Sequence, residues 1–392
     1  MDNLFGNNPV SGENFYGRQK FVNQLVSLLK KGNSFLLLGL RRIGKSSVIE
    51  EVQRIITKEN EIEVVYLNCQ THRGIEDFYK QLSLSLPRDL RERLSKYLRD
   101  SNKIPKKIID IITDYIPEIK VNLTEDISGS IKFRNDILDY ANPLRIEISN
   151  FFSKENKRII LLIDELPFLF EAISKSNKAN TILEIESVLT TLRAWRNSKI
   201  SMAVCGSLNL HQQLEELGIS RKLLAGLITQ NLPAFTREEA KGLLEALCRS
   251  QLYLSDDIIE QMLNQLPDYV PHFIQYFFHC VQNYEGELNT DVVENIYKED
   301  FYPHLLRDFI YQFEERLIVF KGDDQTTARN ILAFLSENQP VSNNDILNNI
   351  ETNNTYEILI RLMDYEFVTL DKDLNYVFSL NVIKNWWINL NK

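Results

Sequence analysis

The residues of this chain best suited to chemistry form one octet, Gly39-Leu40-Arg41-Arg42-Ile43-Gly44-Lys45-Ser46. Two glycines bracket it, and a lysine and a hydroxyl close it. A chain that leaves a strand at Gly39 and turns into a helix after Gly44 exposes successive backbone N–H groups around one concavity, which suits an anionic phosphate. In that arrangement Lys45 reaches the outer phosphates of a nucleotide and Ser46 ligates magnesium. The expected cradle is Gly39, Arg41, Arg42, Ile43, Gly44, Lys45, Ser46 and Ser47.

Hydrolysis needs a second set of groups, because holding phosphate does not activate water. The apolar run Ile159-Ile160-Leu161-Leu162-Ile163 ends in Asp164-Glu165, so two carboxylates emerge at the carboxyl end of a buried strand. Asp164 is expected in the metal shell, and Glu165 as the general base that polarises the attacking water. Ser207, after the strand that ends at Gly206, is placed to sense the outermost phosphate if that strand lies between the two motif strands; Asn209 is the alternative. Arg221, in Gly218-Ile219-Ser220-Arg221-Lys222, is the candidate arginine finger, acting within the chain or on a neighbouring subunit. Arg193 and Arg196 are rivals for that role.

The elements that must position these groups follow from periodicity. From residue 12 to about 235, short apolar runs alternate with amphipathic segments, which argues for a parallel sheet flanked by helices. Expected strands are 34–38, 63–68, 158–164, 200–206 and 227–232, with a helix beginning near Ser47. Residues 72–150 exceed what one crossover needs, so part of them is read as an insertion at about 88–135. It holds the most basic segment, from Arg88 to Lys107, and a β-hairpin expected near 119–133. Thr236-Arg237-Glu238-Glu239 reads as a capping box that opens a helical domain. The expected helices are 255–266, 270–283, 290–298 and 301–319. After Asp323, three helices, two short strands (367–370 and 376–379) and a closing helix with Trp386 and Trp387 describe a winged helix. The expected domains are therefore 1–235, 236–320 and 321–392.

Composition bounds the functions. Among 392 residues, 45 are basic and 54 acidic, a formal charge of −9 that argues against a surface broadly made for nucleic acid. Cys69, Cys205, Cys248 and Cys280 are dispersed without a CxxC pair, which fits free thiols in a reducing cytoplasm. No His or Cys spacing suggests zinc. No leader-like N-terminus and no long apolar run is present, so neither secretion nor a membrane span is expected.

Together these residues resemble the P-loop ATPases at the border of the AAA+ and STAND groups, archaeal and related bacterial ones. The likeness rests on Phe15-Tyr16-Gly17-Arg18, on the octet, on Leu161-Leu162-Ile163-Asp164-Glu165, and on Tyr376-Val377-Phe378-Ser379 with Trp386-Trp387. The resemblance implies ATP with Mg2+ as the ligand, Tyr16 to Arg18 near the adenine, and a helical domain closing as a lid. Val270-Pro271-His272 stands where a Gly-x-Pro turn or a sensor arginine is found in such proteins. An arginine is lacking there, which favours a switch responding through Pro271, and through His272 if that residue is more than a satisfied helix histidine, over a ring motor.

The C-terminal seventy residues carry five basic and ten acidic side chains, a balance of −5. A DNA reader neutralises several phosphates, so this module is expected to meet protein. The sequence therefore points to an Mg-ATP-hydrolysing switch that controls assembly or partner binding, with homo-oligomerisation open. Two alternatives remain: an ATPase of initiator or mobile-element type that touches DNA through residues 88–107 and the hairpin, and a nucleotide-stabilised scaffold without turnover.

Overall fold

Five short segments become strands, and the three at the centre of the sheet, Phe35–Leu38, Arg158–Asp164 and Ile200–Cys205, carry enough apolar side chains to be buried on both faces. The computed structural model describes residues 9–59, 61–114, 141–196, 199–206, 209–350 and 352–390. Within them the chain divides into two compact units, one of residues 20–38 and 48–231, the other of residues up to 19, 39–47 and 232–392.

The first unit is an α/β layer structure. In chain order it contains α1 (Gln19–Lys30), β1 (Phe35–Leu38), α2 (Lys45–Ile56), β2 (Ile62–Asn68), α3 (Ile75–Leu84), α4 (Arg88–Ser101) and α5 (Lys106–Asp114). There follow α6 (Ala141–Lys154), β3 (Arg158–Asp164), α7 (Leu166–Ser176), α8 (Thr181–Trp195), β4 (Ile200–Cys205), α9 (Asn209–Glu216) and β5 (Ile228–Asn231). The sheet order is β2-β3-β4-β1-β5, with every pairing parallel. Strand β4 thus lies between β3 and β1. Parallel strands point their carboxyl ends at one edge, so Leu38 and Asp164 finish on the same edge of the sheet. Each observed strand begins and ends within one residue of its expected bounds. The helix after the loop starts at Lys45, two residues earlier than expected.

The basic segment proves to be two helices stitched to acids elsewhere. Arg93 pairs with Glu155 at 2.6 Å and Lys103 with Glu147 at 2.9 Å, while Arg88 meets Glu92 and Arg99 meets Asp110. Arg91 is buried and donates to the Leu84 and Leu86 carbonyls. These partners favour a structural use of the segment over a free basic face. The hairpin expected near 119–133 lies outside the described residues.

The second unit is mostly helical: α10 (Arg237–Gln251), α11 (Asp256–Gln265), α12 (Pro271–Gln282), α13 (Thr290–Ile296), α14 (Tyr302–Leu305) and α15 (Tyr311–Ile318). Thr236 and Glu239 form the capping box reciprocally, at 3.2 and 3.0 Å. The two helices expected over 290–298 and 301–319 instead run on without a gap, joined by a π-helical turn at Tyr297–Phe301, and a second such turn at Leu306–Ile310 interrupts the α geometry of the latter. Then come α16 (Asp323–Asn338), α17 (Asn343–Asn349), α18 (Thr355–Asp364), the antiparallel pair β6 (Val368–Leu370) and β7 (Tyr376–Phe378), and α19 (Asn381–Leu390). Arg361, the one basic residue of α18, is paired with Asp324 at 2.8 Å and lies over the Phe320 ring.

Candidate nucleotide site

The loop from Gly39 to Ser47 belongs to the second unit, and its geometry can be built from that unit alone. Arg42 and Gly44 take left-handed backbones, with φ of 67° and 100°, and Ile43 N–H donates to Leu40 O at 3.2 Å. A Cβ at Gly39 would lie 3.2 Å from Ile43 Cγ2 and 3.3 Å from Leu232 Cβ, so only glycine leaves the turn undisturbed. The Lys45 side chain is buried and its ammonium donates to Gly39 O at 2.7 Å and Leu40 O at 3.0 Å. The lysine thus bridges the start of the octet from its far end. Ser46 is half-buried and Arg41 exposed. Ser47 Oγ is already engaged, accepting from Val10 N–H at 3.1 Å.

Beneath this loop lies Arg18, whose backbone is also left-handed, φ 58°. Its guanidinium donates to Ile43 O and to Pro233 O, each at 2.6 Å, and lies 4.6 Å from the Phe235 ring centre. Its backbone N–H donates to Glu239 Oε1 at 2.8 Å, so the α10 capping residue also fixes the N-terminal arm. Burial pulls Arg18 down to about 10, against the attraction of Glu239. Arg42 points to the helices: its Nη1 lies 3.0 Å from His272 Nε2 and 3.6 Å from Asp308 Oδ2.

The acidic pair is positioned within the sheet unit. Asp164 is fully buried; its Oδ1 accepts from Glu165 N–H at 3.0 Å and its Oδ2 from Tyr66 Oη at 3.3 Å. Glu165 caps α7 from a left-handed backbone, φ 56°, a conformation that costs a non-glycine residue about 1–2 kcal/mol. Burial and then Asp164 push the Glu50 carboxyl up, and the Tyr66 hydroxyl rises for the same two reasons. Buried Cys69 is pushed up as well, by burial and then by Asp164 and Glu165. Several groups thus converge on Asp164, each resisting further negative charge. A cation would relieve that field, and magnesium accepts such a donor set because it needs few protein oxygens and keeps several waters.

Residues 15–110 match the sequence model of the family described as Novel STAND NTPase 6. Among solved structures, the Walker-type ATPase PABY2304 of Pyrococcus abyssi is similar over 98% of this chain and 99% of that one, at 16% identity and a TM-score of 0.59. The fold is that of the P-loop NTPases. Weaker likenesses are found to the Aeropyrum pernix ORC2 protein in ADPNP–ADP complexes (12% identity, 100% and 98% covered, TM-score 0.46) and to AMPPCP-bound DnaA from Aquifex aeolicus (15%, 90% and 90%, TM-score 0.38). A search of curated protein sequences finds no match.

On this P-loop fold the remaining candidates divide. Tyr16 packs edge-on to Phe235 and against Gly242, where a side chain would collide with its hydroxyl. Arg18 serves the loop and the 233 segment, a role the sequence reading did not anticipate. Pro271 is the first residue of α12, following its N-cap Val270, and His272 one position on makes the Arg42 contact. Ser207 lies outside the described residues. Arg221 is paired with Glu215 at 2.9 Å. Arg193 and Arg196 donate to the Lys222 and Ala225 carbonyls, holding the segment before β5. Tyr66 and Glu50 escaped the sequence reading. Tyr66 is at strand period two from Asn68, the residue in register with Asp164, and that is the one signal that could have found it.

Proposed function

We propose that this chain binds ATP with magnesium at Gly39–Ser46, hydrolyses it, and uses the nucleotide state to switch assembly or the binding of a protein partner. The observation that carries the reading is the common carboxyl edge of the sheet. One step beyond the pairs Ile163 with Val204 and Leu37 with Cys205, Asp164 stands level with Leu37 two strands away, about 10 Å at ordinary strand spacing. Leu38 leads directly into Gly39. The loop thus follows directly on one strand of this parallel sheet, and the acidic pair stands at the end of another.

In this reading Lys45 exchanges the Gly39 and Leu40 carbonyls for phosphate oxygens, and Ser46 and Asp164 are the residues that would hold magnesium. Magnesium, when bound, neutralises charge on the phosphates. Glu165 orients a water and accepts its proton as it attacks. Tyr66 steadies the Asp164 carboxylate. Arg221 serves as a finger only after its Glu215 pair opens, which suits action on a neighbouring subunit. Residues 236–320 act as the lid, and the acidic module 321–392, read as a winged helix, faces a protein rather than DNA.

Lys45→Ala and Glu165→Gln test the assignment. Lys45→Ala is expected to lose nucleotide affinity by at least tenfold. Glu165→Gln should keep ATP affinity and lower phosphate release by about 10²–10³. ATP affinity in Lys45→Ala equal to that of the wild type refutes the loop assignment, and equal turnover in Glu165→Gln refutes the base. Mass measured with ADP and with a non-hydrolysable ATP analogue reads the switch: a change between the two is expected, and its absence with every partner tried argues for a scaffold.

A further inference from the structure

The Arg42 side chain joins the cradle to the start of α12 and to the π-helical turn Leu306–Ile310. His272 Nε2 lies 3.0 Å from its guanidinium, and Asp308 Oδ2 lies 3.6 Å from the same nitrogen. An arginine can only donate, so His272 must accept at Nε2 and carry its proton on Nδ1. The same Asp308 Oδ2 lies 3.2 Å from His304 Nε2, and Tyr276 stacks on the His304 ring at 3.9 Å. These five side chains line one small cavity. His304 comes from α14, the short α segment between the two π-helical turns, and Asp308 from the second of those turns, Leu306–Ile310. Such departures concentrate where a helix must rearrange in function.

We propose that Arg42 is a positioning residue with two competing sets of acceptors. In one state it is latched to His272 and Asp308; in the other it turns to the phosphate oxygens of bound nucleotide. Phosphate is the stronger partner, since it offers charge-assisted, bidentate bonds in place of one neutral nitrogen and one carboxylate at longer range. Nucleotide binding then frees the start of α12 and the Leu306–Ile310 turn. The latch is the physical route by which a lid lacking a sensor arginine reads the loop. The inference rests on the nucleotide-binding reading of the loop.

Competition for one cation has a sign that mere support lacks. By linkage, whatever weakens the latch must strengthen nucleotide binding. In the full-length chain, Asp308→Asn and His272→Ala are expected to bind ATP about 3–10-fold more tightly than the wild type, the net worth of one ordinary hydrogen bond or partly exposed ion pair. His272→Gln, which restores an acceptor, should return near the wild-type value. Hydrogen exchange of peptides spanning 271–276 and 302–310 should rise when ATP binds the wild type. Arg42→Ala should bind ATP more weakly and show no such rise. Unchanged or weaker ATP binding in both Asp308→Asn and His272→Ala overturns the latch, as does an unaltered exchange response in Arg42→Ala. These results leave the nucleotide reading intact if the wild type binds ATP. Failure of the wild type to bind ATP or ADP overturns both.

Discussion

Arg18→Met isolates the buttress under the phosphate loop. Methionine keeps the apolar stem against Phe235 and inherits the same left-handed backbone, so strain at this position cancels between the two proteins. What changes is the removal of two charge-assisted donors, to Ile43 O and Pro233 O at 2.6 Å each. Bonds of this kind contribute about 1.5–3 kcal/mol apiece, or roughly 3–6 kcal/mol for the pair. Against this stands the cost of holding the cation away from water. Its fall to about 10 is worth about 3 kcal/mol. The difference runs from about 0 to 3 kcal/mol, and its midpoint, about 1.5 kcal/mol, is the net loss expected in denaturant unfolding. If the lost support falls on the loop, ATP affinity should drop by about tenfold, following the same free energy. Stability within about 0.5 kcal/mol of wild type refutes the buttress. A fall in affinity with stability intact would instead return Arg18 to the nucleotide itself, the role that the family resemblance implied.

Two further outcomes concern the helical region. Asp268 accepts from the N–H groups of Asn381 and Val382 at 2.9 and 2.8 Å and so caps α19 from a distant part of the chain. Asp268→Ala should cost about 1–2 kcal/mol and speed hydrogen exchange throughout Asn381–Leu390; exchange unchanged there would show that the cap is idle. Burial pushes Asp268 up to about 6 and pulls His272 down to about 4, the latter aided by Arg42 and His304 and opposed by Asp308. The signs differ. The raised acid contributes stability below its unfolded value near 4, lost as pH rises through about 6. The lowered histidine contributes stability above its unfolded value near 6.5, up to about 3 kcal/mol, lost as pH falls toward 4. Because the two oppose each other, the wild-type curve alone cannot separate them. His272→Gln should flatten the acid-side loss and Asp268→Asn the neutral-side loss, both read from unfolding midpoints between pH 4 and 7. Curves parallel to wild type in either variant would remove that group from the account.

What the sequence made legible is what short-range physics writes into it. The central strands β1, β3 and β4 are largely apolar runs, so their bounds fall within a residue of the expected ones, and the octet and the acidic pair each occupy consecutive positions. The contacts that tie these parts together join residues far apart. Arg42 and His272 are 230 positions apart, and Arg18 reaches Glu239 across 221. No periodicity announces either. The π-helical turns are equally silent, since the apolar spacing of 301–319 is compatible with one continuous helix. The basic stretch shows why a local tally of charge misleads about partners. Counted along 88–107, the cations outnumber the nearby acids, and the segment reads as a polyanion surface. Arg93 and Lys103 are nevertheless matched by Glu155 and Glu147, both themselves buried, 62 and 44 positions further on. A cation committed to a buried carboxylate is a poor phosphate ligand, because releasing it strands the acid away from water. Where the counter-charges fold, and not the count of residues between 88 and 107, thus weighs against nucleic acid on this segment.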